Sequence, residues 1–445
     1  MTGKAQAWSE SEASPSAGTV IDAGKRKVLI SSIIGSVIEW YDYTLYGVAA
    51  ALVFNHLFFP NFSSGAGTIA AFGSFAVGFI ARPLGGFFAG QMGDRVGRKT
   101  TLVLTLMLMG VSTTLIGLLP TYEQIGIWAP VLLIVMRVIQ GFAVGGDWGG
   151  AVLMAVEHAP ANRRGMWGAF PQTGVSAGLV LGSAAFAVAS ALPEQDFLSW
   201  GWRIPFLFSV VLAAVGLFIR LKTEESPAFL EVKNSVAERK SPLVEVFKTQ
   251  RKALLLALGA RFAEGGNYYV YTVFILAFTS QYTSLAKSDV LLVVMLAALF
   301  NIVSIPFWGA VSDKVGRRPV FIGGALFIAV TAYPFFLMAM SGSLMLLGMA
   351  LITVLCLGHG PVYGTLAAYY AELFPTSVRY SGISIGYQAA SILLGGITPM
   401  LASALILWAD GSPWAVVVMM VVSALIAAFT MLVSPETYRR DLKSI

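Results

Sequence analysis

The sequence has little charge, one cysteine and three histidines. Only 12% of its 445 residues are Asp, Glu, Lys or Arg, about half the share in an average soluble domain, whereas 57% are hydrophobic and the mean hydropathy is +0.76. The single cysteine, Cys356, excludes a disulfide framework and a cysteine-based metal site. The histidines at 56, 158 and 359 lack a metal-binding spacing, so neither a metal nor another cofactor is expected. These shortages favour a protein that lies in lipid.

The sequence is rich in long apolar runs. Each of twelve runs is long enough for the helix of about 20 residues that crosses a hydrocarbon core about 30 Å thick. The runs cover residues 28–54, 66–92, 100–119, 125–156, 166–191, 202–221, 253–282, 288–311, 319–340, 344–371, 381–408 and 414–433. The sequence therefore predicts an all-α membrane protein with twelve transmembrane helices. The polar residues 1–27 are predicted to be disordered, and the run that follows is too long for a cleaved signal peptide.

The distribution of Lys and Arg predicts the orientation. With the N-terminus inside, 24 of the 29 Lys and Arg residues fall in cytoplasmic loops and tails, two in outer loops and three within spans. Cytoplasmic loops retain such an excess, so both termini are predicted to be cytoplasmic. The net charge of +6 then reflects this orientation, and no nucleic-acid partner is expected.

Two charged loops recur at nearly the same spacing. GQMGDRVGRK, which starts at Gly90, is matched 219 residues later by GAVSDKVGRRP, and EHAPANRR, which starts at Glu157, is matched 215 residues later by ELFPTSVR. One such loop is equally well explained by a tight turn and the orientation bias, but two repeated types indicate two parallel, pseudo-symmetric halves. The halves are predicted at 28–221 and 253–433, with a cytoplasmic linker at 222–252 and a cytoplasmic tail at 434–445.

The repeated loops are predicted to latch the cytoplasmic side. Aspartates can accept hydrogen bonds from the first turn of a neighbouring helix, and nearby arginines can pair with them. The predicted gating residues are Gly90, Asp94, Arg95, Gly97, Arg98, Asp313, Gly316, Arg317, Glu157, Arg164, Glu372 and Arg379.

Several motifs resemble a known family. The loop after Gly90 and the RVIQG segment at Arg137 resemble signatures of the major facilitator superfamily. More narrowly, IEWYDYTLYG, ARPLGG, IQGFAVGGDWGG, SWGWRIPF, ESPAF and RYSGISIGYQ resemble the metabolite:proton symporter family, in particular its shikimate transporters. The similarity runs from about residue 27 to the C-terminus. It implies the major facilitator fold, a monomer, and proton-coupled uptake of a small polar metabolite. Substrates of that family include shikimate, 2-oxoglutarate, citrate, proline and betaine, and the resemblance does not choose among them.

Ionisable residues within the spans point to the transport site. An ionisable side chain at the centre of a membrane helix costs about 2.5–3.5 kcal/mol of insertion free energy, so each is expected to have a function or a partner. Glu39 and Asp42 share one helix face, and two neighbouring carboxylates suit the uptake and release of a proton. The alternative is permanent pairing with Arg82 or Arg137. The predicted proton-coupling residues are Glu39, Asp42, Asp147, Arg82, Glu264 and His359.

Arg137 is the first candidate ligand for an organic acid, because its planar guanidinium group matches a carboxylate. Arg261, three residues before Glu264, is either a second anion ligand or the partner of that glutamate. The polar side chains around these positions either contact substrate hydroxyl groups or pack within the bundle. In the shikimate transporters that this sequence resembles, a Glu stands at the position of Asp147. The aspartate keeps the carboxylate, but its side chain is shorter. The predicted substrate-binding residues are Arg137, Arg261, Asn267, Tyr268, Tyr271, Tyr363 and Gln388.

The sequence thus predicts an inner-membrane symporter that takes up a small organic acid, such as shikimate or a di- or tricarboxylate, together with protons. A porter of zwitterions or osmolytes is the nearest alternative, and an aromatic cage for a cation would distinguish it. A proton-driven exporter of hydrophobic compounds and a transporter-like sensor or channel are further alternatives. Enzymatic activity is not expected, because the cytoplasmic segments contain no metal cluster, nucleophile elbow or phosphate loop.

Overall fold

The computed structural model describes residues 23–95, 98–145, 147–157, 159–221, 242–375 and 378–440. The described residues are almost entirely helical. The long helices of the first half are α1 (Ala23–Leu52), α2 (Ser64–Arg95), α3 (Arg98–Leu118), α4 (Trp128–Val144 and Asp147–Glu157), α5 (Arg164–Ser190) and α6 (Arg203–Leu221).

The second half repeats this arrangement with more irregular helices. Its long helices are α7 (Arg251–Tyr269, Val270–Phe274 and Ile275–Tyr282), α8 (Lys287–Val315), α9 (Arg317–Met340), α10 (Leu344–Thr353, Val354–His359 and Gly360–Leu373), α11 (Arg379–Ser391, Ile392–Gly396 and Ile397–Trp408) and α12 (Trp414–Val433). Short helices at Phe54–Leu57, Tyr122–Ile125, Glu194–Asp196, Phe197–Gly201 and Pro242–Thr249 connect or precede them.

These helices account for the twelve predicted spans. Within the described residues, seven helices are long and apolar enough to cross a membrane, or nine if each of two bent pairs is one span, and residues 103–118 form a shorter apolar helix. The other two, α1 and α7, carry the ionisable pairs predicted from the sequence. Large apolar side chains such as Val188, Val330 and Phe429 are more than half exposed on the outside of the bundle. Such a surface is suited to lipid, and the chain is a multi-pass membrane protein.

The two halves meet along two extensive contacts, α5 with α8 and α2 with α11. The repeated loops relate α2 to α8 and α5 to α11, so each contact is the pseudo-symmetric image of the other. Glycines bring the helices close together. A Cβ on Gly165 of α5 would lie 2.4 Å from the carbonyl oxygen of Gly309 on α8, and a Cβ on Gly396 of α11 would lie 2.8 Å from the Cα atom of Ala76 on α2.

A second set of glycines joins α2 to α4 within the first half. A Cβ on Gly141 would lie 1.9 Å from the carbonyl oxygen of Gly78, and a Cβ on Gly145 would lie 2.0 Å from that of Arg82. Backbone contact of this kind is typical of small residues in membrane helices. The close packing brings Arg82 of α2 beside Arg137 of α4, two arginines that are far apart in the sequence.

The halves are in contact at both ends of the bundle. At the end that carries the repeated loops, the Asp313 carboxylate accepts hydrogen bonds from the amides of Gly165 and Met166, at 2.7 and 2.9 Å. At the opposite end, the amide of Gln281 on α7 donates to the hydroxyl of Thr68 on α2 at 3.0 Å. The structure therefore corresponds to a state in which the centre of the bundle is closed off from both ends.

The glycine contact between α2 and α4 makes a testable prediction. Gly141→Ala is expected to lower the free energy of unfolding by about 1–3 kcal/mol, because the added Cβ would overlap the carbonyl group of Gly78. Thermal unfolding of the purified protein in detergent measures this change. Gly323→Ala is the matched control, since it too lies in a membrane helix and a Cβ there would meet nothing within 4 Å. Equal melting temperatures for the two variants would contradict the prediction.

Candidate functional site

The ionisable side chains inside the spans form two buried clusters, one in each half. The cluster of the first half contains two carboxylates and two arginines, and that of the second half contains an arginine, a carboxylate and a histidine. Each of these side chains is at most 5% exposed. The members are Glu39, Asp42, Arg82, Arg137, Arg261, Glu264 and His359.

Tyr43 of α1 organises the first cluster. The guanidinium carbons of Arg82 and Arg137 lie 4.0 and 4.2 Å from the centroid of its ring. The Tyr43 hydroxyl accepts a hydrogen bond from Nε of Arg82 at 3.0 Å. Arg137 also lies over the rings of Tyr46 and Phe75, at 4.3 and 4.7 Å. Attraction to aromatic faces is worth about 0.5–2 kcal/mol for each contact, and it helps to hold two like charges close together away from water.

A hydrogen-bonded chain connects Arg137 towards Asp42. Arg137 donates to the side-chain oxygen of Gln140, and the Gln140 amide donates to the Thr113 hydroxyl at 2.7 Å. Thr113, whose hydroxyl donates to the carbonyl oxygen of Met109 at 2.9 Å, lies near Asp42, whose Oδ1 accepts from Ser209 at 2.9 Å. Among the side chains that the structure describes, no carboxylate lies within ion-pairing distance of Arg137. The arginine and the aspartate therefore communicate through neutral groups.

The second cluster is paired more directly. Arg261 forms an ion pair with Glu264, and its guanidinium carbon lies 3.7 Å from the centroid of the Tyr387 ring. Nε2 of His359 lies 3.9 Å from the Glu264 carboxylate. Nδ1 of the same histidine is 3.1 Å from the amide of Asn301, which also donates to Ser176 of the first half at 2.9 Å. The pairing that the sequence left open for Arg261 is thus present.

An aromatic stack joins the two halves beside the second cluster. The rings of Trp148 on α4 and Tyr387 on α11 are stacked 3.5 Å apart at an angle of 17°. The Trp148 indole donates to Gln172 at 2.9 Å, and Gln172 donates to the carbonyl oxygen of Tyr363 on α10 at 3.3 Å. The amide of Gln388 donates to the Gly145 carbonyl oxygen at 3.1 Å. Opening of the bundle at this level requires Tyr387, Tyr363 and Gln388 of the second half to separate from their partners in the first half.

The remaining predicted substrate ligands fall into two groups. Tyr268 and Tyr363 flank His359, with ring centroids 4.7 and 5.0 Å away. Asn267, by contrast, donates to Ala263 and to Ser423 on α12, at 2.9 and 3.2 Å. Tyr271 packs against Phe335 on α9 at 4.9 Å. Because a π-helical turn begins at Val270, side chains beyond it leave the helix face that a regular spacing predicts.

Asp313, Arg317 and Glu372 form the centre of the contact at the loop end. Arg317 binds Glu372 through two hydrogen bonds of 2.9 and 3.2 Å, and both side chains are fully buried. Arg317 also pairs with Asp313 at 2.8 Å. Asp313 thereby joins the second half to the first turn of α5, where unpaired amides and the helix dipole favour an anion.

The C-terminal segment adds a carboxylate to this contact. Gly316, between α8 and α9, has a φ of 108°, a conformation that glycine adopts without strain. The side chain of Glu436 lies beside this turn, and it accepts hydrogen bonds from the backbone amides of Arg317 and Arg318 at 2.9 and 3.0 Å. Thr437 donates to Glu372 at 2.8 Å. Glu436 is not predicted from the sequence, because its position after the end of α12 gives no sign that its carboxylate caps the first turn of α9.

The other copy of this contact is described only in part. Arg379 forms an ion pair of 3.5 Å with Glu157 across the halves, and Arg164 donates to the carbonyl oxygen of Arg440 at 2.6 Å. Gly97 lies outside the described residues. The structure gives only the helical backbone of Gly90, Asp94, Arg95, Arg98 and Asp147, so their predicted roles stay predictions.

Sequence reasoning also missed most of the neutral partners. Gln140 lies three residues after Arg137, so helical spacing could have identified it. The others come from different helices, and only the packing reveals them. In the described part of the chain, no group of three or more His, Cys, Asp or Glu side chains is arranged to hold a metal ion. The missed residues are Tyr43, Thr113, Gln140, Trp148, Gln172, Ser209, Asn301 and Tyr387.

Comparison with known proteins identifies the class. The sequence profile of the Major Facilitator Superfamily matches residues 32–386 and 256–444. The chain therefore belongs to the Major Facilitator Superfamily, and it is a transporter and not an enzyme. The fold agrees, since the xylose transporter XylE from E. coli, in a partially occluded inward-open conformation, superposes with a TM-score of 0.72 at 20% identity, covering 95% of this chain and 100% of that one.

Two similar proteins are named as transporters of small metabolites. The chain is 40% identical over 428 residues to the shikimate transporter of Escherichia coli (strain K12), a match that covers 96% of this chain and 98% of the relative. It is 33% identical over 438 residues to the proline/betaine transporter of the same strain, with 96% and 86% covered. The two substrates differ in charge, so the choice between them depends on the site.

The buried Arg317–Glu372 pair makes a second testable prediction. Glu372→Gln is expected to destabilise the protein by about 3–5 kcal/mol, because it leaves the Arg317 charge buried without its main counter-ion. The control is Glu157→Gln, the same substitution in the other copy of the motif, where the side chain is 44% exposed and about 1 kcal/mol or less is expected. Thermal unfolding in detergent compares the two. A larger effect for Glu157→Gln would contradict the assignment.

Proposed function

We propose that the protein takes up a small organic acid together with a proton, across the bacterial inner membrane, by alternating access. The observation that carries the proposal is the state of Arg137. Its side chain is fully buried, and its Nη2 atom has no hydrogen-bond partner among the described residues. A guanidinium group with a free donor at the centre of a transporter is suited to a carboxylate.

Charge balance explains why a proton would accompany the acid. In the first cluster, Glu39 and Asp42 offset Arg82 and Arg137 when both carboxylates are ionised. An organic anion that enters then adds an uncompensated negative charge in a place without bulk water, which is unfavourable. A proton on one carboxylate removes that excess. Proton and anion therefore favour each other's binding, which is the coupling that a symporter needs.

Asp42 is the carboxylate that we assign to the proton. Its exposed fraction is 1%, its Oδ2 atom has no hydrogen-bond partner among the described residues, and Ser209, which donates to its Oδ1 atom, is neutral. Glu264, in contrast, is held by Arg261. Neutralising Asp42 thus breaks no direct ion pair, while it changes the field at Arg137 through Thr113 and Gln140.

Alternating access follows from the contacts between the halves. The Asp313 contact with α5 and the Trp148–Tyr387 stack both lie between the halves, and both must separate when the loop end opens. The contact between Gln281 and Thr68 must separate when the other end opens. The proposal places the loop end in the cytoplasm, with both chain termini on that side, on the strength of the Lys and Arg distribution.

Uptake of a zwitterion is the second candidate, supported by the identity to the proline/betaine transporter. A quaternary ammonium group is usually held by aromatic faces. In this chain, the faces of Tyr43, Tyr46 and Phe75 are already occupied by protein guanidinium groups. This arrangement supports an anionic substrate over a cationic head group.

The first experiment measures uptake into proteoliposomes with an inward proton gradient. Shikimate, quinate, 2-oxoglutarate, citrate, proline and betaine form the panel, each with and without a protonophore. We expect saturable uptake of an acid that the protonophore abolishes. Arg137→Gln is expected to lower kcat/KM for that acid by roughly 30-fold or more, which corresponds to about 2 kcal/mol for a lost charged hydrogen bond.

The matched control is Arg203→Gln, because Arg203 donates only to the carbonyl oxygens of Gly117 and Leu119, at 2.9 and 2.6 Å. Uptake of proline or betaine alone would replace the organic acid by the second candidate. No uptake of any compound would refute the proposed substrate class while leaving the fold unaffected.

Asp42→Asn tests the assignment of the proton. The variant mimics a permanently protonated side chain, so we expect it to exchange labelled acid across the membrane at equilibrium. It should fail to accumulate the acid when a proton gradient is imposed. Accumulation at the wild-type level would assign the proton to another residue, and Glu39→Gln measured in parallel would show whether that residue is the neighbouring carboxylate.

A further inference from the structure

We infer that Arg82, together with Arg137, binds the carboxylate of the substrate, so that one carboxylate is shared by two guanidinium groups. The inference rests on the proposed function and refines it. The sequence analysis assigned Arg82 to proton coupling and offered Arg261 as the second anion ligand. The structure gives reasons to exchange these roles.

Arg261 forms a direct ion pair, whereas Arg82, which has Glu39 in its electrostatic surroundings, takes part in none of the ion pairs among the described residues. Arg261 forms its ion pair with Glu264 in the same half. Arg82 donates through Nε to the neutral hydroxyl of Tyr43, and its Nη2 atom has no hydrogen-bond partner in the part of the chain that the structure describes. Its exposed fraction is 1%. Buried donors without partners are rare, and a ligand that supplies acceptors accounts for them.

The distance between the two arginines suits one carboxylate. Both guanidinium carbons lie near the centroid of the Tyr43 ring, at 4.0 and 4.2 Å, so they are at most 8.2 Å from each other. A carboxylate carbon lies about 4 Å from a guanidinium carbon to which it is hydrogen-bonded, given N–H···O distances of about 2.8 Å. The separation of the two groups therefore does not exceed the span of about 8 Å that one carboxylate can bridge.

Tyr43 and the glycine contact hold this arrangement in place. The Tyr43 hydroxyl accepts from Nε of Arg82, which leaves Nη2 of that arginine for a ligand. On the other side, a Cβ on Gly78 would lie 2.6 Å from Nε of Arg137, so only glycine leaves room for that side chain. Tyr43 is thus a positioning residue, and Arg82 and Arg137 are the ligands.

The test measures equilibrium binding by calorimetry to the purified full-length protein in detergent, with shikimate and 2-oxoglutarate as the probes. Arg82→Lys keeps the charge but loses the planar pair of donors, so we expect Kd for the bound acid to rise at least tenfold. Tyr43→Phe removes only the hydroxyl, and we expect a rise of about threefold to tenfold. Arg203→Lys, the control at an arginine outside the site, should bind like the wild type.

Transport kinetics separate a ligand from a merely structural residue. If Arg82 binds the substrate, Arg82→Lys raises KM for uptake while the rate at saturation stays within about twofold of the wild type. If Arg82 only supports the packing of α1 and α2, the variant lowers the saturated rate and the yield of folded protein and leaves KM unchanged. The second result would overturn the inference.

A measurement on the unmodified protein covers the case in which the variants fail to fold. Phenylglyoxal modifies arginines that become accessible when the bundle opens during the transport cycle, and mass spectrometry locates the adducts. Bound acid is expected to protect both Arg82 and Arg137. Protection of Arg137 alone, or equal Kd values for the wild type and Arg82→Lys, would overturn this inference and leave the proposed function intact. A wild-type protein that binds neither probe and takes up none of the organic acids in the transport panel would overturn both.

Discussion

The structure depends on how two positive charges are kept beside each other inside an apolar bundle. Arg82 and Arg137 have no bulk water to solvate them, and no described carboxylate neutralises them by direct contact. Tyr43 helps to stabilise the two charges, because its ring faces both guanidinium groups and its hydroxyl accepts a hydrogen bond from one of them. Glycines at the contact of α2 and α4 are needed for the same reason, since they let the two helices approach until the arginines share this ring. The positions of α1, α2 and α4 are all constrained by this one arrangement.

The two halves share a plan but hold their charges differently. Among the described side chains, Arg82 and Arg137 of the first half have no direct ion pair, whereas the second half pairs Arg261 with Glu264 and places His359 beside them. A half with unpaired donors is suited to receive a ligand, and a half with satisfied charges is suited to act as a rigid support. The three π-helical turns in α7, α10 and α11 all belong to the second half, where they redirect side chains towards or away from the first. The repeated arrangement thus accounts for the fold, whereas the difference between the halves lies in individual side chains.

Much of the fold was predictable from the sequence, because membrane helices have strong signals. Apolar runs of sufficient length located all twelve helices, and the repeated loops identified the two halves. The ionisable residues within the spans were equally visible, since each is costly in lipid. Their partners were less predictable. Asn267 and Tyr271 were expected to face the site on a regular helix, yet the structure directs them to α12 and α9. Tyr43 and Trp148 act through contacts between distant helices, and no spacing along the chain encodes such contacts.

The stack of Trp148 on Tyr387 has a spectroscopic consequence. An indole ring held 3.5 Å from a phenol ring, with Arg261 on that phenol, has its electronic environment set by the stack. When the halves separate at this level, the indole leaves the stack and meets a more polar surrounding. Its emission then changes in intensity and wavelength. Opening and closing of the transporter therefore carries its own optical signal, which reports on the conformation of each molecule without an attached dye.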